Sequence, residues 1–149
     1  MTIIAYDGKT LAADRMCMRG DTISTVTKLW FNGEHEAIAV SGNFAVGAQM
    51  RRWYEGSRDV AGPEWPTPND KLEHTVMVVA DELGARYYES GGPPEPIEVC
   101  EKFAAWGVGR EAALGAMAMG ADARRAVEIA SEWVMGCGRG VDYVHVCIK

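Results

Sequence analysis

At 149 residues, with 48% hydrophobic and 24% charged positions, the composition is that of one ordinary globular domain with room for a core. The net charge of −6 and pI near 5.1 argue against nucleic acid as the main partner, and Arg51-Arg52 and Arg124-Arg125 are isolated pairs rather than a basic stripe. Neither an apolar run near the roughly 20 residues of a membrane span nor a charged-then-apolar leader is present, so no membrane partner and no signal peptide are expected, and the cytoplasm is the expected compartment.

Thr2–Tyr6 reads as a strand, and Asp7-Gly8 as a hairpin turn into a second strand, Thr10–Ala13, which ends in Asp14-Arg15. Lys28 precedes the apolar run Leu29-Trp30-Phe31, and Asn32-Gly33 turns the chain into a further strand, Glu36–Ser41. At Ser41-Gly42-Asn43 the pattern changes to helical, with Phe44, Val46, Met50, Trp53 and Tyr54 at helical spacing over Asn43–Glu55 and Gly56 available to end it. Ser57–Asn69 holds Pro63, Pro66 and Pro68 and reads as a loop pinned by Trp65. His74–Ala80 is a buried strand, turned by Asp81–Gly84 into Arg86–Glu89. Ser90–Pro96 is a second loop and Lys102–Trp106 a further strand. Helices are expected over Glu111–Met119 and Asp122–Cys137, with Asp122 as N-cap. In the second helix Ala126, Val127, Ala130, Trp133, Val134 and Cys137 form one apolar stripe opposite Arg124, Arg125, Glu128, Ser131 and Glu132. Gly138-Arg139-Gly140 then turns into a last strand, Val141–Ile148. There is no internal repeat and no domain boundary. Antiparallel hairpins followed by helix pairs indicate an α+β domain.

The chemistry is concentrated at the start. An initiator methionine can be trimmed before a small residue, and trimming here would leave Thr2 with a free α-amino group beside its own hydroxyl. That hydroxyl is a poor nucleophile at neutral pH. An α-amino group, with a pKa of about 7.7–8.0, can act as its base. A carbonyl-attacking threonine also needs an ammonium near its alkoxide, a carboxylate to hold that ammonium, and backbone N–H groups where an oxyanion develops. Asp14, Lys28 and Gly42 follow in the chain order that could supply them. The competing reading is that Met1-Thr2 merely opens a strand.

The pattern Thr-Ile-Ile-Ala…Asp-Gly-Lys-Thr-Leu-Ala-Ala-Asp-Arg…Lys-Leu-Trp-Phe…Ala-Val-Ser-Gly-Asn resembles the start of a proteasome β-type subunit, most closely the bacterial, ATPase-partnered branch of these N-terminal-nucleophile hydrolases. Ala105-Trp106-Gly107-Val108-Gly109-Arg110 running into Glu111-Ala112-Ala113-Leu114 is similar to the family's Gly-x-Gly turn into an Ala-rich helix. Ala126–Val134 resembles its second helix and Tyr143–Val146 its late strand. The resemblance implies a single four-layer αββα sandwich over residues 1–149. It makes Thr2 the nucleophile, Asp14 and Lys28 its charged partners, and Gly42 the oxyanion-hole residue, with Asn43 the alternative in the same register. It further implies peptide or unfolded-protein substrates, a homo-oligomeric ring, and the unfolding ATPase that partners some members. No cofactor or metal is implied, and a nucleophile this close to the start leaves no room for a propeptide. The chain departs from the family in three places. Gly107-Val108-Gly109 stands where many members read Gly-Ser-Gly, no late aspartate precedes the glycine-rich turn, Asp142 lying in the strand instead, and the Asp14-to-Lys28 segment is slightly short. A catalytically impaired scaffold or binding protein is therefore the alternative.

Cys17, Cys100, Cys137 and Cys147 form no Cys-x-x-Cys, and His35, His74 and His145 are not spaced as metal ligands, so buried or half-buried free thiols in a reducing compartment are expected. His145 alternates with Val144 and Val146 and reads as structural or solvent-facing. Gly107-Val108-Gly109-Arg110-Glu111-Ala112 also matches the dinucleotide pattern Gly-x-Gly-x-x-Ala, with Glu128 downstream. That glutamate falls inside a helix and only one strand remains after it, so the nucleotide-binding unit cannot be completed. The small-residue helix Ala112, Ala113, Gly115, Ala116, Ala118 could pack within the subunit or between subunits.

Overall fold

The computed structural model describes residues 2–33, 35–56, 64–66 and 74–146. One antiparallel sheet has the order β10-β1-β2-β11, formed by Ala104–Gly107, Ile3–Tyr6, Thr10–Asp14 and Val141–His145. A second has the order β5-β6-β7-β8-β9, formed by Leu29–Asn32, Glu36–Ser41, Val76–Asp81, Gly84–Glu89 and Ile97–Glu98. Strand alternation determines how the two sheets stack. Ile4, Tyr6, Leu11 and Ala13 of the first face Leu29, Ala37, Ala39, Val76, Val78 and Ala80 of the second in one apolar cluster. The opposite face of the first sheet, with Ile3, Ala5, Ala12 and Ala105, is covered by α2 (Arg110–Ala118) and α3 (Ala123–Trp133). The opposite face of the second, with Ile38, Val40, Met77 and Val79, is covered by α1 (Phe44–Gly56). The layers thus run α2/α3, sheet, sheet, α1, which is the αββα sandwich.

Local chemistry accounts for the helix ends. Asn43 caps α1, its Oδ1 accepting from the Val46 amide at 3.1 Å. Asp122 caps α3 by accepting from the Arg125 amide at 2.8 Å. Ala123, Ala126, Val127 and Ala130 form the buried stripe of α3, while Arg125 pairs with Glu128 on the outside. Trp65 is the pin expected of its loop. Its ring stands edge-on to Trp53 at 4.8 Å, and its indole N–H donates to the Gly92 carbonyl. The rest of the Ser57–Asn69 loop, the end of the last strand and Cys147 lie outside the described residues.

Several expectations are corrected. α3 stops at Trp133 rather than Cys137, because Val134 is extended at φ −107° and ψ 122°. The continuous stripe fails with it: Trp133 is 81% exposed, while Cys137 returns to the core from a turn. Two elements have no counterpart in the sequence reading. One is the hairpin β3–β4 (Met16–Arg19 and Thr22–Thr25), which pairs only with itself, and the other is the short edge strand β9. Cys100 is exposed, not buried or half-buried. Of the small-residue helix, Ala113 and Met117 pack on the first sheet and α3, whereas Gly115 and Ala118 are exposed. His145 is exposed and its Nδ1 meets the Thr10 hydroxyl at 2.6 Å, in keeping with a structural role.

Candidate active site

Asp14 ends β2 with its side chain fully buried, and everything around it donates to it. Its Oδ1 accepts from Lys28 Nζ at 2.9 Å and from the Ile3 amide at 3.1 Å. Its Oδ2 accepts from the Gly138 amide at 3.1 Å and the Met16 amide at 3.3 Å. One carboxylate therefore ties together the start of β1, the lysine ahead of β5 and the turn before β11. Lys28 is itself 4% exposed, so this pair is shielded from solvent. A buried pair of this kind holds only when its remaining lone pairs are also satisfied, and here both oxygens are. Cys137 lies in the same turn as Gly138. Its thiol is pushed up to about 11, first by burial and then by the Asp14 carboxylate, so it is neutral at pH 7 and acts as packing.

Above this pair opens a pocket of about 380 Å³ whose walls include Thr2, Lys28, Ser41, Gly42, Asn43 and Phe44. Met16, Cys17 and Met18 of β3 also line it. Thr2 is 3% exposed. The four residues expected to act together, Thr2, Asp14, Lys28 and Gly42, are brought to one place: Thr2, Lys28 and Gly42 line the pocket, and Asp14 lies beneath, bonded to the residue after Thr2.

Gly42 carries a backbone only glycine accommodates. Its φ is +111°, and a Cβ there would stand 2.5 Å from the His74 carbonyl oxygen and 2.8 Å from Thr75 Cα. Of the two residues left open as oxyanion donors, Asn43 is engaged: its amide donates to Thr75 Oγ1 at 3.0 Å. Gly42 is left as the donor candidate in that register.

The sequence reading missed Ser41, Gly107 and Gly138 as parts of this site. Gly107 was legible as a tight turn, but its reason is a close approach. At φ +101°, a Cβ on Gly107 would overlap the Thr2 carbonyl and stand 3.1 Å from Ser41 Oγ. The neighbouring Val108 is exposed and brings no hydroxyl to the pocket. As expected, no nucleotide-binding βαβ unit forms here: β10 is antiparallel to β1, and α2 is followed by α3 rather than by a parallel strand. A larger cleft, about 960 Å³, runs along β10 beside α2; among the described residues of its walls only Tyr87 carries a hydroxyl, and Thr2 is not one of them. The smaller pocket is the one that holds Thr2, Lys28 and Gly42. No cluster of metal-ligating side chains occurs among the described residues.

No protein-family model and no curated protein sequence matches the chain. Solved structures do. The eukaryotic HslV from Trypanosoma brucei is 19% identical with a TM-score of 0.70, covering 96% of this chain and 97% of that one. Thiobacillus denitrificans BPH in complex with epoxomicin is 16% identical with a TM-score of 0.67, covering 97% of this chain and 98% of that one. A second structure of Thiobacillus denitrificans BPH is 16% identical with a TM-score of 0.61 and covers 99% of both chains. At these identities the likeness establishes the fold, end to end.

Proposed function

We propose that this chain, which carries the proteasome β-subunit-like fold of the N-terminal-nucleophile hydrolases, is a threonine-type peptidase. The observation that carries the reading is the buried Asp14–Lys28 pair at 2.9 Å. It is hydrogen-bonded to the residue after Thr2 and sits under a pocket that Thr2 shares with Gly42. Removal of Met1 would free the Thr2 α-amino group. In this reading Thr2 Oγ1 attacks a peptide carbonyl and its proton passes to that amine. Lys28 lowers the energy of the alkoxide, and Asp14 fixes the ammonium in place. The Gly42 amide receives the oxyanion. Collapse releases the amine product and leaves an ester on Thr2, which water hydrolyses. The scheme needs no cofactor.

Peptides or unfolded chains are the proposed substrates, within a cytoplasmic homo-oligomeric ring that an unfolding ATPase could feed. The likeness to HslV and BPH supports this assembly. A catalytically impaired scaffold is the second reading, favoured by Val108, which supplies no hydroxyl beside the threonine. The test is the intact mass of natively purified protein before and after a peptide epoxyketone, a probe whose electrophilic carbons suit the hydroxyl and amine of one N-terminal threonine. Loss of Met1 and one adduct per chain, absent in Thr2→Ala, is the expected result. A retained Met1, or a trimmed chain that takes up no adduct, overturns the peptidase reading in favour of the scaffold.

A further inference from the structure

We infer that Ser41 is a catalytic residue of this site, a hydroxyl relay that carries protons between the Thr2 α-amino group and the leaving nitrogen; the inference rests on the peptidase reading above.

Strand alternation places it. On β6, Ala37 and Ala39 point between the sheets, while Ile38 and Val40 point to α1. Ser41 continues the inward series. On β1, Ile4 and Tyr6 point between the sheets and Ile3 and Ala5 point to the helices, so Thr2 continues the inward series there. Thr2 and Ser41 are thus the last inward positions at the ends of two facing strands, both buried and both lining one pocket. Gly107 lies against both. The space its missing side chain leaves open is bounded by Ser41 Oγ on one side and the Thr2 main chain on the other.

The other polar groups of the pocket are unsuited to the task. Lys28 is held by Asp14, the Asn43 carboxamide oxygen caps α1, and Arg19 has no acceptor. The Cys17 thiol, which also lines the pocket, is a weak donor. Ser41 lines the pocket, and its Oγ has no hydrogen-bond partner among the described residues, so its donor and its acceptor are both uncommitted. In acylation the Thr2 Oγ1–carbon bond forms and the Thr2 hydroxyl proton moves to the α-amine. As the carbon–nitrogen bond breaks, the leaving nitrogen takes the Ser41 proton and Ser41 takes one from the α-ammonium. Ser41 ends unchanged. Hydrolysis of the ester runs the same relay from water.

The experiment compares wild type, Ser41→Ala and Ser41→Cys in turnover of a fluorogenic peptide, with kcat measured in mixtures of light and heavy water. Thr2 labelling by the epoxyketone runs alongside. We expect Ser41→Ala to lower kcat about 100-fold, in the range of a positioned acid–base group, with KM little changed. We also expect the curved, two-proton dependence of kcat on deuterium fraction to become linear. Ser41→Cys should recover part of kcat, because a thiol still gives and takes a proton. Wild-type kcat and an unchanged deuterium dependence in Ser41→Ala, with wild-type chains labelled at Thr2, overturn the relay alone. If the alanine variant does not fold, the same result in Ser41→Gly, which also lacks a hydroxyl, overturns it equally. Wild-type protein with neither turnover nor label overturns the relay together with the peptidase reading.

Discussion

Replacing Asp14 by Asn keeps the shape of the side chain and changes only its charge and half of its hydrogen bonding. The carboxylate accepts four hydrogen bonds: from Lys28 Nζ and the Ile3 amide on Oδ1, and from the Gly138 and Met16 amides on Oδ2. A carboxamide turns one of these oxygens into a donor, so two of the four partners lose their acceptor, and Lys28 stays buried without its counter-charge. Breaking a buried pair from one side costs about 3–5 kcal/mol. No cavity adds to the cost, because the volume is unchanged. Urea unfolding followed by tryptophan fluorescence at pH 7 measures the loss. Lys28→Met should cost a similar amount, since it strands the Asp14 carboxylate. The double variant should cost less than the sum of the two by at least 2 kcal/mol, because each substitution removes the charge the other leaves stranded. Additive losses, or an Asp14→Asn loss below 1 kcal/mol, would refute the idea that this pair is a shielded unit at the base of the pocket.

Other positions make separate claims. Gly42→Ala meets both a positive φ and the His74 carbonyl, so thermal unfolding should show a loss of about 2–4 kcal/mol, and a loss under 1 kcal/mol would mean the β6–α1 turn is not built as described. The Cys137 thiol is raised from 9.0 to about 11 in the folded chain, so its contribution is complete below pH 9 and is lost as pH rises through about 11. Cys137→Ala should therefore lie below wild type in stability at pH 8 and close on it by about 2–3 kcal/mol toward pH 11; parallel stability–pH curves would contradict this. Trp133→Ser should change stability by no more than about 0.5 kcal/mol in chemical denaturation, since the ring is exposed at the end of α3, whereas a loss above 1 kcal/mol would return the ring to a buried stripe.

Much of the sandwich was legible because its strands and helices carry strong one-dimensional signals. Asp7-Gly8 and Asn32-Gly33 mark hairpins whose strands pair as expected, and Asp122 caps α3. The misses share a physical cause. The β3–β4 hairpin is mostly solvent-facing, so Met16–Thr25 carries no apolar alternation to read. Helix α3 ends at Trp133 because Val134 and Cys137 are drawn to the first sheet by a turn, and helical spacing alone could not distinguish that from another helical turn.

The site divides along the same line. The residue types and chain order of Thr2, Asp14, Lys28 and Gly42 were set in the sequence, because a threonine hydroxyl, a carboxylate, an ammonium and a glycine turn are each chemically distinctive. Only the tertiary structure decided that Gly138, from the far end of the chain, completes the shell around Asp14. Only it showed that Asn43 spends its amide on Thr75, and that a side chain on Gly107 would collide with the Thr2 carbonyl and crowd Ser41. Those are contacts between segments remote in sequence. They depend on how two sheets stack, and the spacing of residues along one strand does not encode them.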